Sequence, residues 1–124
     1  MSYYEVKYNN LGGPIEVKIH IGHAHWGDFW FTTYDSTGRN PERLFEGINS
    51  DEIPDEFSIE NLNAINGCYL KCTLRAVQHE VLDHALYYVQ VRIIQDGNQL
   101  HVMEAQGKFE QQVHTFSQVI KFVS

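Results

Sequence analysis

The sequence predicts an all-β fold: a single-domain antiparallel β-sandwich over residues 1–124, with a small β-barrel as the alternative closure. Three observations carry this. Residues 86–105 read LYYVQVRII, then QDGN, then QLHVMEA, which is a hairpin signature. Residues 15–21 and 68–76 alternate apolar with polar side chains. Turn residues separate about seven or eight such runs at fairly even spacing.

Taken in order, residues 3–8 form a short strand, and NNLGGP (residues 9–14) is a turn. Ile15, Val17, Ile19 and Ile21 face the core, with Glu16, Lys18 and His20 opposite. A tight turn at Gly27-Asp28 leads into a strand over residues 29–34, because Gly at the first central position suits a type II′ turn. That hairpin would pair Trp26 with Phe29, Ala24 with Phe31, His25 with Trp30 and His23 with Thr32. Its parity conflicts with residues 15–21, and one extra residue at Gly22, a β-bulge, removes the conflict. Phe29 and Phe31 then join the core.

Residues 35–67 read as a long acidic insertion loop, in which Glu42, Glu46, Asp51, Glu52, Asp55, Glu56 and Glu60 stand against Arg39 and Arg43. The loop carries one or two short helices: Asn40-Pro41-Glu42 is a start signal that Gly47 could stop, and Ser58 caps a second turn or two towards Asn66-Gly67. From Cys68 the alternation resumes, with Cys68, Leu70, Cys72, Leu74 and Ala76 inward. In the hairpin of residues 86–105, Asp96-Gly97 provides the two positive φ angles of a type I′ turn. The register pairs Ile93 with Leu100 and Val91 with Val102, placing Tyr87, Val89, Val91, Ile93, Leu100 and Val102 on one face. Two weaker strands, residues 108–114 and 118–123, close the chain as edges.

At 124 residues and 43% hydrophobic, the chain is long enough for an ordinary core. Such a domain buries roughly two-thirds of its unfolded surface. The net charge of −7 argues against a nucleic-acid binder and against docking on anionic membrane. No apolar run approaches the ~20 residues of a membrane span. The start, MSYYEVKYNN, lacks the basic and apolar regions of a signal peptide, so a cytoplasmic location is expected. Cys68 and Cys72 on one strand would stand on the order of 13 Å apart, beyond the ~7 Å a disulfide spans, and read as buried thiols in a reducing compartment.

No catalytic motif is complete. His23 and His25, one apart on a strand, are the start of a zinc site that needs a third ligand. The run His79-Glu80-Val81-Leu82-Asp83-His84 resembles a zincin helix only superficially, with four residues between its histidines instead of three. The leading functional expectation is a non-catalytic protein-binding module: an acidic inhibitor, an immunity protein or an adaptor docking a basic partner. Its contact residues would be Trp30, Tyr34, Glu42, Glu46, Asp51, Glu52, Asp55 and Glu56, with the acids steering and the aromatics anchoring. The alternative is a metal or small-ligand site at His23 and His25. A weaker alternative is a self-assembling subunit that pairs homo-oligomer edges along residues 108–123.

Overall fold

A computed structural model describes residues 2–22, 26–49, 53–78 and 85–124. Their nine strands are β1 (Tyr4–Lys7), β2 (Ile15–Gly22), β3 (Trp26–Tyr34), β4 (Glu42–Asn49), β5 (Asp55–Ile59), β6 (Tyr69–Val77), β7 (Leu86–Gln95), β8 (Asn98–Lys108) and β9 (Val113–Val123). They form a β-sandwich of two sheets, ordered β1-β9-β6-β3-β4 and β5-β2-β7-β8. The apolar face of each sheet meets the other, so alternate residues of β2, β3, β6 and β7 are fully buried. Ile15, Val17 and Ile19 face Leu70, Cys72 and Leu74 across one core that also takes in Phe29, Phe31 and Phe122.

Two edges flank this core. On one side β4 and β5 end their respective sheets, and Phe45 and Phe57 join them, with ring centroids 4.4 Å apart and nearly parallel. On the other side β1 and β8 end the sheets, bridged by Tyr4 against His101 and by His101 bonded to Gln118.

The β7–β8 turn has the predicted geometry: Asp96 and Gly97 both have positive φ, 51° and 77°. Buried Gln95 and the Asp96 carboxylate reach back to the 9–14 turn, where Gln95 Nε2 donates to Asn9 and Gly13 carbonyls and the Gly13 amide donates to Asp96. Beyond the turn the expected register fails. Ile94 pairs Gln99, but Ile93 pairs His101 and Val91 pairs Met103, leaving Leu100 as an extra bulged residue. Met103 is therefore buried, and Val102 faces solvent. The physical reason is Glu104. The unbulged register would aim its carboxylate into the core, whereas the bulge turns it out to accept Tyr88 Oη and Gln90 Nε2.

Further expectations are corrected. Gly27 and Asp28 are not a turn; they lie inside β3, which belongs to the other sheet from β2. Gly27 is needed for close approach, since a Cβ there would stand 2.6 Å from both the Arg75 carbonyl and Ile21 Cδ1. No bulge interrupts β2 at Gly22, which pairs Tyr88 in register. Trp30 pairs Glu46 and Thr73, and Thr32 pairs Arg43 and Lys71, so neither pairs a histidine. The acidic stretch 35–67 carries no helix among its described residues; it forms edge strands β4 and β5 and a run of turns over residues 62–67. Of the two weak terminal strands expected over residues 108–114 and 118–123, Lys108 ends β8, residues 109–112 connect, and residues 113–123 form one continuous strand, β9. It is bonded to β6 from Val113 to Lys121 and to β1 from Ile120 to Val123, so it is not a free edge strand. Cys72 is buried as expected, but Cys68 precedes β6 and is only partly covered, its thiol donating to the Ala64 carbonyl at 3.3 Å. Burial pushes both thiols up from the usual cysteine range, and at Cys68 the Asp35 charge adds to that.

Candidate functional site

The residues expected to bind a partner fall into three groups. Trp30 and Glu46 sit side by side on the outer face of the five-stranded sheet. There the Trp30 ring lies between two guanidiniums, Arg43 at 5.8 Å and Arg75 at 5.2 Å from its centroid. Each guanidinium is held by a carboxylate: Arg43 bonds Glu46 at 2.6 Å, and Arg75 forms a two-point pair with Asp28. Cation–π contact and ion pairing fix the arginines over the ring in a charge-balanced row. The Asp28 bond also raises the Arg75 pKa.

Asp55 and Glu56 form the second group, at the start of β5. Alternation sends them to opposite faces. Asp55 accepts Asn49 Nδ2 at 2.9 Å, bracing the β4–β5 crossing, and Glu56 lies 3.4 Å from Lys18 on the outer face of the four-stranded sheet. That exposed pair contributes little stability.

Tyr34 and Glu42 form the third. Trp30 and Glu46 line a smaller hollow of about 320 Å³ together with Ile48, and Tyr34 and Glu42 meet in a larger cavity. It is a cleft of about 440 Å³ at the end of the sandwich, enclosed by the ends of β3 and β5, the start of β4 and the turns before β6. Leu44, Ile59, Ala64 and Ile65 line it with apolar surface; Asp35, Glu42 and Glu60 supply its acids. Leu44, Ile59 and Ile65 are not among the expected contact residues, because they come from three separate segments that only the fold brings together. Asp51, Glu52, His23 and His25 lie outside the described residues, as do His79 and His84. Among the described residues no group of three or more His, Cys, Asp or Glu side chains could hold a metal ion.

The acids of the cleft differ in availability. Asp35 is consumed by its own turn: its carboxylate accepts the Thr37 hydroxyl and amide, the Arg39 amide and Asn40 Nδ2. These bonds, that from the Thr37 hydroxyl foremost, hold its pKa down to about 2. Glu42 and Glu60 have no ion pair among the described residues. Because the folded pKa of Asp35 is depressed, the support it gives the turn is present above the ordinary carboxylate range and is lost as pH falls through about 2. A carboxyl-detected NMR titration is expected to show Asp35 still ionised at pH about 3. A midpoint at the ordinary aspartate value would mean these bonds do not hold in solution.

The sequence matches no protein-family model, and no curated protein and no solved structure matches it either.

Proposed function

We propose that this chain is a non-catalytic protein-binding module that docks a basic partner along the β4/β5 edge. One observation carries the reading: large apolar side chains stand exposed among acids on that edge. Leu44, Ile48 and Ile53 are 39%, 69% and 71% exposed. They are interleaved with Glu42, Glu46, Glu56 and Glu60. The stretch from Asp35 to Glu60 carries eight acids against two arginines. An apolar strip in a predominantly acidic rim, where Arg43 and Lys18 offset Glu46 and Glu56 and leave Glu42 and Glu60 without ion pairs among the described residues, is the composition of a steered interface, in which the strip supplies affinity and the rim the encounter rate. The β4 backbone, at the end of its sheet, adds unpaired amide and carbonyl groups to the same surface. An inhibitor of a basic enzyme and an assembly adaptor are the roles this surface suits. The unbridged thiols Cys68 and Cys72 fit a reducing compartment, so the partner is sought among cytoplasmic proteins.

The test is capture from source lysate with immobilised wild type, Ile48→Asp and Glu42→Lys/Glu46→Lys, each checked for folding by circular dichroism. A basic protein retained by wild type should be lost from both variants, Ile48→Asp costing about 2 kcal/mol or more if it anchors the interface. Identical capture by all three proteins, or capture of acidic partners alone, would remove the β4/β5 edge from consideration.

A further inference from the structure

We infer that the cleft beside the β4/β5 edge is an arginine socket, which takes one guanidinium side chain of the docked partner. The inference rests on the docking reading above and names the chemistry the partner must present. The cleft volume, about 440 Å³, suits a single long side chain with room for water. Its apolar lining of Leu44, Ile59, Ala64 and Ile65 suits a methylene stem, and Glu42 and Glu60 suit a cationic head. Among the described residues, no lysine or arginine lines it.

The choice of arginine over lysine comes from how this protein handles its own guanidiniums. On the neighbouring sheet face Arg43 and Arg75 each combine an aromatic plane, Trp30, with a carboxylate, Glu46 or Asp28. The cleft lining holds the same two residue types, an aromatic, Tyr34, and the acids Glu42 and Glu60. A planar, weakly hydrated guanidinium can stack on a ring and bond a carboxylate at once, which a compact ammonium does less well. The third acid, Asp35, is already saturated by its turn and serves the cleft as a wall.

The experiment titrates the intact protein with Nα-acetyl-L-argininamide, and in parallel with the lysine and citrulline counterparts, by amide NMR shifts. Cys68 gives an independent readout: it lines the cleft and is partly exposed, whereas Cys72 is fully buried, so iodoacetamide reports on Cys68. Expected are millimolar binding of the arginine compound, shifts confined to cleft residues, and slower alkylation of Cys68 in its presence. Glu42→Gln/Glu60→Gln should weaken binding about tenfold, or about 1.4 kcal/mol, and Tyr34→Leu should weaken it several-fold.

Absence of cleft shifts at about 50 mM ligand, or equal binding of the uncharged citrulline compound, would overturn the socket. Equal binding of the lysine compound would overturn the guanidinium assignment. The two readings fail separately. A partner lost with Ile48→Asp but held fully by Glu42→Gln/Glu60→Gln leaves docking intact and removes the socket. Argininamide binding without any Ile48-dependent partner does the reverse.

Discussion

Met103→Asp is expected to destabilise the protein by about 4 kcal/mol or more, while Val102→Asp, one residue away, costs about 1 kcal/mol or less. Met103 is 1% exposed and Val102 is 38% exposed, on a strand at the end of its sheet. Aspartate at 103 removes a buried thioether chain and leaves a carboxylate among Val91, Ile93 and their neighbours, with no partner for its charge. Aspartate at 102 stays in water and loses only strand preference. In a chain of this size the larger effect corresponds to a fall in Tm on the order of 15 °C. Burial would raise the pKa of an acid at 103 above its unfolded value, so the variant's deficit should shrink as pH falls from that raised folded value to the unfolded carboxylate range, and not change further below it. Thermal unfolding of the two variants decides between the bulged register and the one that alternation suggests. If Val102→Asp proves the more damaging, the bulge at Leu100 is wrong.

The same pair of residues shows what the sequence reveals and what it hides. Where a strand lies inside a sheet with one face on the core, alternation reads directly: Ile15, Val17, Ile19 and Ile21, and Leu70, Cys72, Leu74 and Ala76, are all buried as their spacing predicts. A turn whose backbone needs positive φ reads equally well, as at Asp96-Gly97. A bulge has no such signature. It inserts one residue, changes the parity of everything beyond it, and shows only in the burial conflict it relieves, here Glu104. Leu44 is a second case. It is the extra residue where β3 and β4 slip register between Phe31 and Thr32, and it breaks the alternation of ERLFEGIN.

Edge strands are hard to read for a related reason. They tolerate charges because charge prevents unwanted pairing, so β4 resembles a polar loop. Asn40-Pro41 and Gly47 resemble helix punctuation for unrelated reasons. Asn40 adopts the left-handed conformation, φ 56°, in the turn closed by Asp35, and Gly47 lies beneath the Phe29 ring, where a Cβ would meet Cζ at 2.7 Å. The candidate site suffered most, since Tyr34 and Glu42 became neighbours of Ile59 and Ile65 only through the crossing from β4 to β5.

Phe31→Ala is expected to cost about 3–5 kcal/mol, with its first effect on the docking edge. Phe31 is completely buried. It packs edge-on against Phe29, with centroids 6.2 Å apart, and tilted against Phe45 at 4.6 Å. Phe45 in turn stacks on Phe57, which meets Phe29 at 5.7 Å. This ring of four aromatics couples β3 and β4 of one sheet to β5 of the other, so it is what fixes the two edge strands relative to each other. Truncation breaks the cycle of ring contacts and leaves a void that its two aromatic partners, Phe29 and Phe45, fill only in part. Because β4 and β5 have a strand partner on one side only, the loss should appear there before it reaches β6, β7 and β9. Hydrogen exchange in Phe31→Ala should therefore show amides of β4 and β5 opening well below the global unfolding free energy, with those of β7 tracking it. Phe31→Leu, which fills more of the space, should cost roughly half as much or less. A cost for Phe31→Ala below about 1 kcal/mol, or uniform loss of protection in both sheets, would contradict this arrangement. The outcome bears on function as well. If the four rings set the β4/β5 geometry, partner binding should weaken in Phe31→Ala although the side chain is out of a partner's reach, and an interface scan that ignored the core beneath would misplace its anchor.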